Sequence, residues 1–415
     1  MPDHLLIAIG SHGDVHPFVG IGRELKTRGH AVRVLANPHF REMIQRAGLE
    51  PIDLGTADDY RRIIKDPLMW HPMKGPSRVM QYTLETLEPV YRACVDQADA
   101  STTIVASSLG IAALCAAETH DRRVITAHLA PITVRSLERL PALSIPFDLN
   151  RLPKFLRKKF WEGADRWFID PPIAPGFNEF RAKLGLKPVK QIFGTFWHSP
   201  HGSLGLWPEW FAPRCSDWPA CVRSTDFPLY DESDHHELDP SLEDYLRGGD
   251  PPVVFTPGSA MTHGHAFFDT AIAATARIGR RALLLTRFAE QLPPMLPSHV
   301  KHIAYAPFTD LLPRVAALVH HGGIGTTSQA LRAGVSQLIM PMSHDQPDNA
   351  AAVRRLGCGD SLFPRSFKPR TVAVKLQRLL TSAAIRAGTR AVAARFKADP
   401  CGRIADAIGE ASGYP

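Results

Sequence analysis

Residues 317–332 decide the fold, and their sequence is ALVHHGGIGTTSQALR. The apolar residues Ala317 to Val319 predict a buried strand, and the run that ends at Arg332 predicts a helix. Glycines fill the turn between them, where they let the backbone approach a ligand closely. The free amide groups and the positive end of a helix at such a turn bind phosphate. The stretch therefore predicts one strand–turn–helix unit of an α/β sheet with an anion-binding turn.

The same alternation of short apolar runs and amphipathic stretches extends over most of the chain. Strands are predicted at Leu5–Ile9, Val32–Leu35, Thr102–Ala106, Val124–Ala127, Val253–Thr256, Ala282–Leu285 and Gln337–Met340, and helices at Pro17–Arg28, Pro38–Ala47 and Phe267–Ile278. This alternation is typical of parallel sheets covered by helices on both faces. Prolines and tryptophans interrupt it from about residue 131 to residue 228, where no regular sheet is expected. The fold class is therefore predicted as α/β, with two tandem Rossmann-like, doubly wound domains facing a central cleft.

The length of 415 residues fits two domains, each large enough to bury its own core. A stretch rich in Asp, His and Glu ends in Gly248-Gly249 and Pro251-Pro252, which is typical of an interdomain crossing. The predicted boundaries are an N-terminal domain at residues 1–230, a linker at 231–252, a C-terminal domain at 253–400 and a final segment at 401–415.

Composition excludes several classes of protein. The formal charge of +7 is spread thinly over a chain with 21% charged residues, so no nucleic-acid-binding tail is expected. The six cysteines form no C-x-x-C pair, which favours reduced thiols in the cytoplasm and makes structural zinc improbable. No apolar run is long enough for a signal peptide or a membrane span. We therefore expect a cytoplasmic protein without a spanning segment, although it can still contact a membrane surface.

Asp14 lies in the stretch GSHGDVHP of residues 10–17, between the first strand and a helix opened by Pro17. A carboxylate in that turn projects at the carboxyl edge of the sheet, where a general base belongs. The alternative is that Asp14 only caps the helix. Taken alone, the cap is the more common role, so the catalytic interpretation depends on the other motifs.

Two further turns follow predicted strands of the second half. Asp345 and Gln346 supply acceptors and a donor for neighbouring sugar hydroxyls, or else serve as a helix cap ahead of Pro347. Gly258 and Ser259 form a weaker glycine turn at another strand end. The position of Asp345, 20 residues after Gly325, also fits the ribose-binding acid of a dehydrogenase, but the third glycine of that fingerprint is missing.

The two histidines of the opening stretch leave a similar choice. His320 and His321 are either satisfied by backbone carbonyls at the edge of the sheet or placed to bind phosphate. Phosphate binding is favoured because the histidines abut four small residues at the start of a helix.

Taken together, these motifs resemble the inverting nucleotide-sugar glycosyltransferases of the two-Rossmann-domain (GT-B) class, which include plant, sterol, macrolide and glycopeptide transferases. The resemblance covers nearly the whole chain. It rests on the order and spacing of Tyr305-Ala306-Pro307-Phe308, the glycine turn after His321, and Asp345-Gln346. The sequence around residues 10–20, 207–213 and 227–229 most resembles that of the rhamnosyltransferases of rhamnolipid synthesis.

The resemblance implies how the donor is held. Tyr305 would stack on the nucleotide base, and the backbone of Ala306 would form a hydrogen bond with the edge of the base. His321 and the amides from Gly322 to Thr326 would hold the diphosphate. The full set of expected donor-binding residues is Gly13, Gly258, Ser259, Tyr305, Ala306, His321, Gly322, Gly323, Gly325, Thr326, Gln329, Asp345 and Gln346.

The resemblance also implies the mechanism. Asp14 occupies the position of the general base, and Asp345 and Gln346 those that bind the sugar hydroxyls. Gln329 departs from the pattern, since many UDP-using members carry glutamate there for the ribose hydroxyls, so both UDP and dTDP remain open. The chain has no Asp-x-Asp pair to carry a metal, so no metal or cofactor is expected beyond the nucleotide-sugar co-substrate. The final helix is expected to cross back to the first domain.

The acceptor is expected to contact the irregular part of the first domain, from about Trp70 to Met80 and from Ile132 to Trp167. The stretch LPKFLRKKFW at residues 152–161 has basic and bulky apolar residues at helical spacing. It either lies on an anionic membrane and admits a lipid acceptor, or packs on the domain as an ordinary surface helix. The resemblance to the rhamnosyltransferases of rhamnolipid synthesis implies an acceptor of the hydroxy-fatty-acid lipid type, with sterols and polyketides open, and no oligomeric state is predicted. Two competing functions are a nucleotide-sugar epimerase and a catalytically silent nucleotide- or lipid-binding protein.

Overall fold

The computed structural model describes residues 3–143, 147–236 and 238–413. The parts of the predicted domains, linker, acceptor region and final segment at residues 1–2, 144–146, 237 and 414–415 lie outside the described residues. The chain divides into two compact units. Unit 1 comprises Met1–Pro228 and Asp399–Pro415, and unit 2 comprises Leu229–Ala398.

Unit 1 contains a parallel sheet that has seven strands in the described residues. The strands are β1 (His4–Ile7), β2 (Val32–Ala36), β3 (Glu50–Asp53), β4 (Thr103–Ser107), β5 (Arg123–His128), β6 (Ser203–Gly205) and β7 (Val222–Ser224). Their order in the sheet is β3-β2-β1-β4-β5-β6-β7. The connection therefore reverses direction between β1 and β4, and ligands bind outside the carboxyl ends of the strands at such a switch point.

Helices cover this sheet. They are α1 (His12–Thr27), α2 (Arg41–Arg46), α3 (Ala57–Ile64), α4 (Gly75–Glu85), α5 (Leu87–Asp96), α6 (Ala112–His120), α7 (Lys154–Ala164) and α8 (Ala174–Lys183), with π-helical turns at Asp165–Ile169 and Ile192–Phe196. Leu5, Ile104 and Val124 are fully buried in the core between sheet and helices. The central strands β1, β4 and β5 carry mostly apolar residues in their middle because parallel strands there are buried on both faces.

Two local predictions for unit 1 were wrong. Helix α1 begins at His12 rather than at Pro17, so the proline lies inside the helix. Ser11 and Asp14 form a capping box that starts the helix earlier. Regular sheet is also present between residues 131 and 228, because β6 pairs with β5 and β7 pairs with β6. These three-residue strands depend on tertiary pairing, which a local hydrophobic pattern does not reveal.

Unit 2 contains a second parallel sheet, with six strands in the part of the chain that the structure describes. The elements are α9 (Pro240–Arg247), β8 (Val253–Thr256), α10 (His265–Arg277), β9 (Ala282–Leu285), β10 (Val300–Ile303), α11 (Phe308–Leu311), β11 (Ala317–His320), α12 (Ile324–Arg332), β12 (Gln337–Ile339), α13 (Gln346–Arg355), β13 (Gly359–Ser361), α14 (Pro369–Thr381) and α15 (Ala383–Ala393). The sheet order is β10-β9-β8-β11-β12-β13, which places a second switch point between β8 and β11. The predicted α/β class with two doubly wound sheets is thus confirmed.

The stretch expected to link the domains belongs to unit 2 instead. Leu242 and Leu246 of α9 are buried in a core cluster with Val254 of β8. The Asp231 carboxylate accepts hydrogen bonds from the Thr309 amide at 2.7 Å and from the Thr309 hydroxyl at 3.1 Å. Asp231 and helix α9 therefore pack as part of the second unit, because the two leucines one helical turn apart bury an apolar stripe that the polar composition concealed.

The last helix, α16 (Pro400–Ser412), belongs to unit 1. Arg28, the C-cap residue of α1, forms an ion pair with Asp406 at 2.5 Å, and Arg403 forms another with Asp226 at 2.6 Å. No helix in the described residues combines the length and the apolar character that crossing a bilayer requires.

Buried histidines predict how stability depends on pH. Burial lowers the pKa of His4 and of His198 to about 4, and that of His320 to about 3. The unfolded chain binds these protons near the ordinary pKa of about 6.5, so it holds more protons than the folded chain between about pH 6.5 and pH 4. The free energy of unfolding should therefore fall on acidification, by up to about 1.4 kcal/mol per pH unit for each histidine. Urea unfolding at pH 7, 6 and 5 measures the slope.

The control for this prediction is His4→Leu, which removes one titrating group from the sheet. The variant should flatten the dependence by roughly a third of the contribution that these histidines make. Coincident slopes for wild type and variant would assign the acid sensitivity to other groups.

Candidate active site

The switch point of unit 2 holds the His321 ring between two glycines. A Cβ atom on Gly258, which follows β8, would lie 2.8 Å from His321 Cε1, and a Cβ atom on Gly323 would lie 2.5 Å from His321 Nε2. Gly258 also has a φ of +105°, which favours glycine. Only residues without side chains leave room for the ring there, so the turns after β8 and β11 meet as the glycine pattern predicted.

His320, by contrast, has a structural role. It is fully buried, its Nε2 lies 2.9 Å from Gln337 Oε1, and its Nδ1 accepts a hydrogen bond from the Gly322 amide at 3.1 Å. Burial and then the nearby His321 lower the pKa of His320 to about 3, so the ring is neutral and Nε2 carries its proton. The Gly322 amide is therefore engaged by His320, in contrast to its predicted role in holding the diphosphate.

The N-terminus of α12 offers free donors for an anion. The first bond of the helix runs from the Thr327 amide to the Gly323 carbonyl at 3.0 Å. The amides of Ile324, Gly325 and Thr326 thus have no partner within the helix. The buried Thr327 hydroxyl has no hydrogen-bond partner among the described residues. Three amides and the helix dipole converge on the position that the sequence predicted for a diphosphate.

His321 adds an imidazole to this turn. Burial lowers the pKa of His321 to about 4, so the unliganded ring is neutral at pH 7. A neutral imidazole donates one hydrogen bond, and a bound diphosphate would favour its protonated form.

Asp345 and Gln346 stand at the start of α13, beside the same turn. The Gln346 side-chain oxygen accepts bonds from the amides of Met342 at 2.8 Å and Ser343 at 3.2 Å. Asn349 donates to Asp345 Oδ2 at 2.6 Å and to the Gly322 carbonyl at 2.9 Å. Asn349 is thus a positioning residue that the sequence reasoning did not assign. The Gln346 oxygen is already used, which leaves the amide nitrogen as the group able to meet a sugar hydroxyl.

Tyr305 and Ala306 lie apart from the glycine turns, because they follow the edge strand β10. The Tyr305 hydroxyl donates to the Asp231 carbonyl at 2.6 Å. The Arg287 guanidinium carbon lies 5.1 Å from the Tyr305 ring centre, and the His236 ring packs edge-on at 5.2 Å. Burial raises the pKa of Tyr305, so the phenol stays neutral. Sequence reasoning missed Arg287, although its place just after β9 was the available signal.

The remaining predicted donor residues of unit 2 differ in exposure. Gln329 is buried in α12, at 7% exposure, whereas Ser259 is exposed after β8. Gly13, the predicted donor residue of unit 1, lies exposed in the first turn of α1.

Asp14 follows β1 at the switch point of unit 1. Its Oδ2 accepts hydrogen bonds from the Ser11 amide at 2.7 Å and from the Ser11 hydroxyl at 3.0 Å. A Cβ atom on Gly10 would collide with the Asp14 carboxylate, so this carboxylate requires the glycine. Burial raises the pKa of Asp14, and the two bonds from Ser11 oppose that rise without cancelling it. A carboxylate with a raised pKa is a better base near neutral pH.

A second capping box shows what burial contributes. Asp59 of α3 accepts bonds from the Thr56 amide at 2.9 Å and the Thr56 hydroxyl at 2.7 Å, the same arrangement as at Asp14. The hydrogen bonds from Thr56 lower the pKa of this carboxyl, whose side chain is 43% exposed. The local motif is the same and the pKa shift is opposite. Asp14 is therefore more than a helix cap in its electrostatics, because desolvation outweighs the same two hydrogen bonds.

Comparison with known proteins agrees with this fold. The glycosyltransferase family 28 N-terminal domain matches residues 4–137, and the C-terminal domain of the erythromycin biosynthesis protein CIII-like family matches residues 283–408. O-mycaminosyltylonolide 6-deoxyallosyltransferase of Streptomyces fradiae is 32% identical, over 85% of this chain and 83% of its own length.

Solved structures share the architecture of the whole chain. The glycotransferase of kitacinnamycin has a TM-score of 0.77 and 19% identity over 99% of both chains. The spinosyn rhamnosyltransferase SpnG complexed with thymidine diphosphate has a TM-score of 0.67 and 16% identity, over 98% of this chain and all of the other. Fold and site thus define the class of GT-B glycosyltransferases. The chain belongs to the family that joins the glycosyltransferase family 28 N-terminal domain to the EryCIII-like C-terminal domain.

Proposed function

We propose that the chain is an inverting glycosyltransferase that moves a hexose or deoxyhexose, such as glucose or rhamnose, from a dTDP- or UDP-sugar to a hydroxyl of a hydrophobic acceptor. The observation that carries the proposal is the desolvated Asp14 carboxylate at the switch point of unit 1, held by Ser11 and accommodated by Gly10. A general base in the loop after the first strand is what direct displacement at a sugar requires.

In the proposed reaction, Asp14 accepts the proton of the acceptor hydroxyl as the hydroxyl oxygen attacks the anomeric carbon. The bond from that carbon to the diphosphate oxygen breaks, and its electron pair leaves with the nucleoside diphosphate. One displacement inverts the anomeric configuration. The amides of Ile324, Gly325 and Thr326, the α12 dipole and His321 would stabilise the charge on the departing diphosphate.

The proposal assigns no step to a metal ion or a cofactor. Backbone amides, a helix dipole and an imidazole are donors of the kind that stabilise a developing oxyanion. Assay with and without a chelator tests this expectation, and undiminished turnover in the chelator is the expected result.

The donor nucleotide is tested at Gln329, because a glutamate at this position would accept hydrogen bonds from ribose hydroxyls. Because dTDP lacks the 2′-hydroxyl, it would form fewer hydrogen bonds with that carboxylate and gain less affinity from it. Gln329→Glu should therefore raise the affinity for UDP relative to dTDP by about tenfold, the effect of one hydrogen bond to a charged group. Titration calorimetry with both nucleotides measures the ratio.

The matched control for this prediction is Gln45→Glu, which adds the same charge to an exposed position of α2 in unit 1. It should leave the ratio of affinities unchanged. An unchanged ratio in Gln329→Glu as well would remove this residue from ribose recognition.

The proposed acceptor is lipid-like, of the hydroxy-fatty-acid type. The proposal draws on the likeness of residues 10–20 and 207–213 to rhamnosyltransferases of rhamnolipid synthesis, whereas the relative from Streptomyces fradiae is named for a macrolide substrate. A mass-spectrometric screen of UDP-glucose and dTDP-rhamnose against hydroxylated lipid, sterol and macrolide acceptors tests it. New glycoside identifies the pair, conversion of donor alone indicates an epimerase, and binding without turnover indicates a silent binder.

A further inference from the structure

Helix α7 and the π-helical turn after it present a charged and aromatic side to unit 1. The Arg135 guanidinium forms two hydrogen bonds with the buried Asp165 carboxylate, at 2.7 and 2.6 Å. The guanidinium carbon of Arg135 also lies 4.6 Å from the Trp161 ring centre, and Trp161 donates to the Ser136 carbonyl at 3.3 Å. An ion pair and a cation–π contact therefore hold the side that faces the unit.

Arg157 completes this attachment. Its side chain donates to the carbonyls of Leu152 at 2.7 Å, Leu137 at 3.1 Å and Glu138 at 2.8 Å, and also to that of Asn150. The orientation of α7 is thus set by many directional bonds. The side turned away from the unit is consequently a defined surface.

Large aromatic side chains of this segment are exposed. Phe155 is 64% exposed, Trp167 66% and Phe168 58%. A Cβ atom on Gly163 would lie 3.0 Å from the Trp167 ring, so the glycine lets the ring lie close along the helix. Isolated exposed apolar residues are ordinary, but three aromatics on one short segment mark an interaction surface.

Positive charge surrounds these aromatics. The exposed cationic residues of residues 151–169 are Arg151, Lys154, Lys158, Lys159 and Arg166, against a single exposed acidic residue, Glu162. We call one exposed surface the aromatic–basic face; it comprises Phe155, Lys158, Lys159, Arg166, Trp167 and Phe168. Its exposed aromatic rings and cationic side chains complement a partner that has an apolar interior and a negatively charged surface.

We propose that the aromatic–basic face docks on the surface of an anionic lipid bilayer. Aromatic rings are stable at the level of the lipid headgroups, and lysine side chains bury their stems while their ammonium groups meet lipid phosphates. Apolar insertion and electrostatic attraction to anionic lipid together give peripheral binding without a spanning segment. The inference goes beyond the proposed reaction, because docking requires neither the donor nor Asp14.

The test is co-sedimentation of the full chain with vesicles, without any nucleotide sugar. One set is phosphatidylcholine alone, and the other contains about one quarter phosphatidylglycerol, a composition that gives a negative surface potential. Wild type should bind the anionic vesicles at least about tenfold more tightly than the neutral ones, and the preference should shrink at high salt. Equal binding to both sets, or binding to neither, would overturn the proposal.

Two double variants locate the binding. Lys158→Glu with Lys159→Glu removes the attraction, and Trp167→Ser with Phe168→Ser removes the insertion, so each should weaken binding to anionic vesicles at least about tenfold. The matched control is Met295→Ser with Lys397→Glu in unit 2, where Met295 is 87% exposed and Lys397 is exposed. It removes one exposed apolar side chain and reverses one charge away from the aromatic–basic face, and it should bind as wild type does. Thermal unfolding checks that all variants fold.

A second measurement distinguishes a bilayer from a protein partner. Trp167 should be quenched by brominated anionic lipid, and Trp167→Phe should keep the binding while losing that quenching. Sedimentation velocity tests whether the face joins two copies of the chain. A dimer that Trp167→Ser with Phe168→Ser dissociates, together with no vesicle binding, would assign the face to a second copy and overturn the proposal.

Discussion

Asp14→Asn lowers the rate of glycosyl transfer by about a thousandfold at pH 7, within the range of about 10²–10⁴ that a general base contributes. The side-chain oxygen of the asparagine still accepts a hydrogen bond from the Ser11 amide, so α1 keeps its N-terminal cap. Stability should be unchanged or higher. Because burial raises the pKa of Asp14 in the folded chain, its ionised form at pH 7 is less favourable there than in the unfolded chain. Steady-state rates and thermal unfolding, measured on the same sample, test both parts.

Asp59→Asn is the control, because Asp59 has the same capping geometry and the opposite pKa shift. It should keep full activity. It should also lose stability above the ordinary carboxyl pKa, since hydrogen bonds from Thr56 favour the ionised form in the folded chain. Full activity in Asp14→Asn would move the search for a base to His12 and His16, which lie in the same helix.

The second large effect is expected from Gly323→Ala. Gly323 has a φ of −59°, which alanine adopts freely, so the change acts only through the Cβ atom placed 2.5 Å from His321 Nε2. The ring must leave its position between the two glycines. Losing one hydrogen bond to a charged diphosphate should weaken nucleotide binding by about 10- to 100-fold. Calorimetric titration with dTDP and UDP measures the loss.

A double-mutant cycle separates the ring from the backbone. If Gly323 serves to accommodate His321, then Gly323→Ala should have little further effect in a His321→Ala background. An equal loss in both backgrounds would show instead that a bare backbone at residue 323 is needed for the diphosphate itself.

Much of the architecture could be predicted from hydrophobic pattern. Val253–Thr256 and Ala282–Leu285 are strands at the predicted residues, since parallel strands buried on both faces must be apolar without interruption. The pattern failed where local and tertiary signals differ. β6 and β7 are too short to show a period, and α9 is recognisable only from two buried leucines in a polar stretch.

In the candidate site, too, some features could be predicted from the local sequence and others depended on the tertiary structure. The adjacent histidines 320 and 321 look equivalent in the sequence, yet His320 is committed to Gln337 and the Gly322 amide while His321 lies at the glycine turn. Arg287 was missed because its partner Tyr305 follows a different strand, and Asn349 because its Gly322 partner lies in the turn after another strand, although Asp345 is only one helical turn away from it.

The sequence by itself determined the central strands of the two doubly wound sheets, the turns at their carboxyl edges and the residues in those turns, because continuous apolar runs and glycine turns are local signals. Only the tertiary structure decided what those residues do. Asp14 and Asp59 have the same hydrogen-bonded cap, but burial raises the pKa of Asp14, whereas hydrogen bonds from Thr56 lower the pKa of Asp59, whose side chain is 43% exposed. Desolvation depends on what packs around a carboxylate, and residues distant in sequence determine that packing.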